Sequence, residues 1–280
     1  MKKIPLILTV VLVLALVLVG TALAVTNGQP DGDNHPYIGL LVFDVYVPDV
    51  GNVPAWRCSG ALIAPNVVLT AGHCTDGAVA ARVWFDERLQ DDDGTYLVPD
   101  YPWGGVVATE GTPFTNPDFC IGCGNGLPGF ALRDTGIVVL DEEVDVGGFA
   151  ELPEAGLVDT LKNKTDIDFV GYGVQEQIMS YPGENPYDRW VGLKNRLYAP
   201  SQMVSGKFVH SAEFMRLAMN PGGGTGGTCF GDSGGPDLLG GTDTVLAVNS
   251  YVTNANCTGV GYSSRVDIPE VLEWIESFLD

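Results

Sequence analysis

Ser233 stands among glycines in the run Gly231-Asp232-Ser233-Gly234-Gly235-Pro236. A hydroxyl becomes a useful nucleophile only where the backbone leaves it exposed and a base stands close. Glycine on both sides permits that exposure and lets a substrate come near. In such a turn the N–H groups of Gly231 and Ser233 can point together at a developing oxyanion. Taken alone, G-x-S-x-G also describes the nucleophile elbow of α/β-hydrolases, in which the histidine follows the serine. This chain has three histidines, His35, His73 and His210, and all of them precede Ser233. Chain order excludes the elbow.

A base is offered by Leu69-Thr70-Ala71-Gly72-His73-Cys74, at the end of an apolar strand. Together with Gly231–Pro236, this block resembles the trypsin/chymotrypsin family of serine peptidases, whose signatures are a T-A-x-H-C turn and a G-D-S-G-G-P loop. The resemblance runs along most of the chain. Trp56-Arg57-Cys58-Ser59-Gly60 stands where the family has a Cys-Gly-Gly strand, and Gly171-Tyr172-Gly173 where it has Gly-Trp-Gly. Ser250-Tyr251-Val252 stands where it has Ser-Trp-Gly. The resemblance implies a secreted serine endopeptidase that hydrolyses peptide bonds through an acyl-enzyme, with Ser233 as nucleophile and His73 as base. His35 and His210 are then ordinary surface or core residues. A non-catalytic binding module or adhesin of the same fold is the alternative, since fold alone does not establish activity.

The third catalytic group must be chosen from 35 acidic residues. In the family it opens an apolar strand, and Asp134-Thr135-Gly136-Ile137-Val138-Val139-Leu140 matches that pattern. Asp141, at the far end of the strand, is the alternative. The resemblance also places Gly227 at the base of the primary pocket, where trypsin-like enzymes carry an aspartate for Arg or Lys. Thr228, Ser250, Val252 and Val260 line that pocket, with Gly261 replacing Val260 in a second alignment. A small or apolar preference follows, not a basic one. Val25-Thr26-Asn27-Gly28 resembles the family's activation segment, so the resemblance pairs a freed Val25 amine with Asp232.

These side chains need a scaffold. The 37 glycines and 18 prolines favour short strands and turns over long helices. Apolar runs recur at Ile38–Val47, Gly60–Ile63, Val67–Thr70, Val79–Phe85, Ile137–Leu140, Ile167–Val170 and Val245–Val248. From Ile268 the apolar spacing switches to that of an amphipathic helix, with Asp267 and Glu270 as a capping box. An all-β body with a C-terminal α-helix results. The resemblance makes that body two packed six-stranded antiparallel barrels, about residues 25–145 and 146–265, closed by a helix over 268–279.

Lys2 and Lys3, an apolar run from Ile4 to Val19, and Ala22-Leu23-Ala24 form an export signal cut before Val25. An uncleaved membrane anchor is the alternative. Six cysteines in an exported chain read as a disulfide framework, with 15 pairings open to spacing alone. The resemblance implies Cys58–Cys74 and Cys229–Cys257. Cys120 and Cys123 lack the context of a redox or zinc site and form a local loop. A formal net charge of −21 opposes nucleic acid and anionic membranes as partners. The expected partner is a polypeptide substrate, met by a monomer. No cofactor is required, although Asp86-Glu87 and Asp91-Asp92-Asp93-Gly94 could hold a loop calcium; a solvated turn is the plainer reading.

Overall fold

Short apolar segments separated by glycine- and proline-rich turns fold here as strands, and their pairing makes two curled sheets. The computed structural model describes residues 25–105, 107–123, 131–177, 190–204 and 212–279. The predicted export segment and His210 lie outside the described residues. The amino-terminal half runs through β1 (Gln29–Pro30), β2 (Ile38–Val47), β3 (Gly51–Ala64), β4 (Val67–Thr70), β5 (Ala80–Trp84) and β6 (Thr109–Thr115). A minor pair, β7 (Cys120–Ile121) and β8 (Ala131–Leu132), precedes β9 (Gly136–Leu140). Strands β2, β3, β4, β9, β6 and β5 close into a barrel in that order.

The second half carries β10 (Asp166–Gly171), the short pair β11 (Glu176–Gln177) and β12 (Trp190–Val191), then β13 (Leu197–Gln202) and β14 (Phe214–Met219). It ends with β15 (Pro236–Leu239), β16 (Val245–Val252) and β17 (Gly259–Arg265). These form an antiparallel sheet in the order β1-β13-β10-β15-β16-β17-β14. A single bridge between Met203 and Leu217 brings β13 towards β14, so six of the seven strands curl round on themselves. The seventh departs from expectation. Gln29–Pro30 pairs with β13 of the second sheet, although it was assigned by sequence to the first barrel.

One buried cluster joins the two halves. It holds Leu40, Leu62 and Ile137 of the first barrel, Val170, Leu238 and Val248 of the second sheet, and Val271, Leu272 and Ile275. The last three lie on the terminal helix, Pro269–Glu276, whose apolar stripe is the one the spacing predicts. The capping box does not form. Ile268 is the N-cap and its hydrocarbon side chain can accept nothing, while Asp267 is taken by Arg265 and by the Val158 N–H.

Candidate active site

Strand β4 delivers His73. It ends at Thr70, and the chain turns through Ala71 into a single helical turn, Gly72–Thr75, that carries the imidazole. Thr70 pairs with Gly136 at the start of β9, so the residues just before β9 lie beside the histidine turn. Asp134 is one of these, and it is fully buried. Its Oδ1 accepts the His73 backbone N–H at 2.7 Å, and its Oδ2 lies 2.8 Å from His73 Nδ1. Ser250 Oγ donates to the same Oδ2 at 2.5 Å. Burial alone pulls the His73 pKa down, but the Asp134 charge and hydrogen bond outweigh it and hold the imidazole above its ordinary value. Asp141 is exposed at the other end of β9, and its backbone N–H bonds to Glu110. Of the two carboxylates only Asp134 meets the histidine, whose Nε2 lies 3.7 Å from Cys74 Sγ.

Ser233 occupies a turn packed against the same strand. A Cβ on Gly234, at φ +76°, would lie 2.0 Å from Thr70 Oγ1, so no other residue permits this approach. Ser59 of β3 fastens the turn: its N–H donates to Ser233 O at 2.8 Å, and its Oγ donates to Gly231 O at 3.0 Å. No hydrogen bond joins Ser233 Oγ to His73. Nucleophile–base contacts of this kind often tighten only when substrate binds. Among the described residues, the N–H groups of Gly231 and Ser233 have no acceptor.

Behind the turn, Asp232 is fully buried and accepts the N–H of Gly173 at 2.7 Å and of Cys229 at 2.9 Å. A Cβ on Gly173 would lie 2.1 Å from its Oδ2, which explains a glycine there. Burial pushes Asp232 up to about 6, against the pull of those two amides and the Arg57 charge. Val25 is buried too. Thr26 exchanges backbone bonds with Gly227 at 2.9 and 3.1 Å, stitching the amino-terminal segment below the nucleophile turn. No bond between Val25 and Asp232 is present.

A cavity of about 210 Å³ opens beside Ser233, lined by Thr228, Cys229, Phe230, Asn249, Ser250, Tyr251 and Val252. Two residues expected in its wall are absent from it. Val260 pairs with Ala218, and Gly261 is the residue opposite Val252. Gly227 also lies off the lining, because Met219 packs between Gly227 and Gly261. Met219 and Asn249 were not singled out by sequence. Ser250 was read as a pocket residue, and it does line the cavity while also holding Asp134. The three disulfides are Cys58–Cys74, Cys229–Cys257 and Cys120–Cys123. The first ties the histidine turn to β3, and the second ties the nucleophile loop to the segment before β17.

Residues 43–275 match the Trypsin family. The chain belongs to that family. Human chymotrypsin-like elastase family member 3B is 25% identical to this trypsin-family chain over 240 residues, 78% of this chain and 77% of that protein. The Macaca mulatta protein of the same name is 30% identical over 122 residues, and that match spans 41% of each. Among solved structures, HL collagenase superposes with a TM-score of 0.62 at 19% identity, covering 91% of this chain and 98% of the other.

Proposed function

We propose that this trypsin-family chain is a secreted serine endopeptidase. Ser233 attacks the peptide carbonyl while His73 takes its proton and then returns it to the leaving amine. Asp134 fixes the imidazole so that Nε2 faces the serine, and the N–H groups of Gly231 and Ser233 receive the oxyanion. Water then releases the acyl group by the same route. The observation that carries this reading is the grip of buried Asp134 on both the backbone N–H and Nδ1 of His73. A binding module has no use for an imidazole oriented in this way. Three disulfides suit an oxidising compartment outside the cytoplasm.

Of the expected preference for a small or apolar rather than a basic primary residue, the pocket supports above all the exclusion of basic ones. Gly227 supplies no carboxylate, Met219 fills the floor beneath it, and Val252 narrows the wall. Activation follows from the export cut. Cleavage before Val25 frees an α-ammonium next to the strapped Thr26–Gly227 segment, and Asp232 is a buried carboxylate with no cation in hydrogen-bond contact among the described residues. Deprotonation of that ammonium lowers activity on the alkaline side, above roughly pH 8.

Labelling by a serine-reactive fluorophosphonate tests the reading. The processed protein takes one label, and Ser233→Ala takes none. A folded protein that stays unlabelled would favour the non-catalytic binding module.

A further inference from the structure

The interior of the second sheet holds a polar array that the catalytic reading does not use. Asn249 on β16 lines the cavity beside Ser233 and is almost wholly buried. Its partner across the strand pair is Ser263 on β17, and directly opposed residues share one face of a sheet. On β15, Asp237 pairs with Ala247, two residues before Asn249, so it stands on that face as well. Three polar side chains therefore share one buried face of the sheet, beside Ala247 and the buried Arg265 opposite it.

The hydrogen bonds fix which way Asn249 points. Its Nδ2 donates to the Gly235 carbonyl at 3.0 Å, and a carbonyl can only accept. The side-chain oxygen must then face Ser263, whose Oγ donates to it at 3.4 Å. A carboxamide nitrogen carries two hydrogens, and no second acceptor for this one exists among the described residues. Ser263 has a single hydrogen and two neighbours that could take it, Asn249 Oδ1 and the Asp237 carboxyl. Both Asp237 oxygens lack a full hydrogen bond. Burial drives its carboxyl well above the usual range, with Ser263 alone opposing. The geometry gives the serine hydrogen to Asn249, whose Oδ1 is within hydrogen-bond reach while neither Asp237 oxygen is.

We propose that Asn249, held by Ser263, makes the primary pocket select a side chain bearing a carboxamide, Gln or Asn, over its apolar isostere. This inference rests on the peptidase reading of the site. An unmatched buried N–H is costly, so a substrate that supplies a carbonyl oxygen gains what an apolar one of the same shape forfeits. Charged residues are disfavoured for a different reason. Among the described residues no Lys, Arg or His lines the cavity to meet a carboxylate, and Asp237 is wholly buried and off the lining, out of reach of a cation.

The test uses the processed full chain and peptides that differ only at the residue donating the scissile carbonyl: Gln against Met, Asn against Leu, with Lys and Arg alongside. The expected result is kcat/KM at least about tenfold higher for Gln than Met and for Asn than Leu. Asn249→Leu should reverse both ratios, and Ser263→Ala should shrink them several-fold by freeing the amide to turn. Equal or inverted ratios in the unaltered enzyme overturn the proposal, whether or not the variants fold. A dominant preference for Lys or Arg overturns it too, and marks Asp237 as an ionised acceptor. Failure to cut any peptide, with no fluorophosphonate labelling, sinks the catalytic reading instead. Affinities of the same peptides measured by calorimetry then decide the pocket, with the same order expected.

Discussion

Asp134 accepts three hydrogen bonds on two oxygens, and two of them come from the residue it orients. An amide in its place must turn an N–H towards one of three donors, so the imidazole is released or trapped in the wrong tautomer. Asp134→Asn should therefore reduce kcat by about 10⁴, with little loss of fold. Asp141→Asn, at an exposed position, should leave kcat within about threefold. Steady-state kinetics on both variants checks this, and a crippled Asp141→Asn enzyme would reassign the acid. The raised His73 pKa sets the acid limb of the profile: kcat/KM should rise with pH through a midpoint above 6.5, the ordinary histidine value. The pairing of His73 with Asp134 was legible because the histidine turn and the acid-led strand resemble those of the trypsin/chymotrypsin family. Ser59, Asn249 and Met219 were not. Each acquires its role from cross-strand register, such as Ser263 facing Asn249 across a pair of strands, and local sequence does not encode that register.

Among the elements, the segment that leads into the first barrel is held more firmly than its composition suggests. Arg196 is buried and pairs with Asp31 at 2.8 Å, while His35 meets the other Asp31 oxygen at 2.5 Å. His35, an unremarkable residue by sequence, thus helps fix the segment that joins β1 to β2. The main strands were readable because continuous apolar runs between turn residues report burial directly. β1 was not, since two exposed residues carry no such pattern. The clamp positions the chain just after Val25, which bears on stability. An Asp232 carboxyl raised from 3.8 to about 6 favours the fold below the lower value, and that advantage is lost as pH rises through the higher one. At neutral pH the loss is on the order of 3 kcal/mol in a precursor that still carries residues before Val25. A freed α-ammonium pairing with Asp232 removes it. Processed chain should therefore unfold at higher denaturant than precursor at pH 7, and the gap should close near pH 4. Denaturant titrations of both forms at the two pH values measure this, and an equal midpoint at pH 7 would argue against the pairing.

Over the whole molecule, 35 acidic residues against 14 basic ones leave a formal charge of −21 around a pocket whose lining, among the described residues, contains no charged side chain. The two features act at different ranges. The surface field extends about one Debye length, roughly 10 Å at 0.1 M salt, and so acts on the approach of the whole substrate. The cavity acts on one side chain after contact. A peptide with lysines several residues from the scissile bond should therefore be cut faster than its glutamate counterpart at low salt, through encounter rate. Raising ionic strength from about 0.01 M to 0.5 M should bring the two rates together, because the screening length shrinks several-fold. Over the same range, the ratio between two uncharged primary residues should stay constant, since neither carries a charge for salt to screen. Measuring kcat/KM for the four peptides across the salt series separates the two effects. If the uncharged ratio moved in step with the lysine–glutamate ratio, the pocket would be reading the surface field, and its selectivity could not be assigned to the residues that line it.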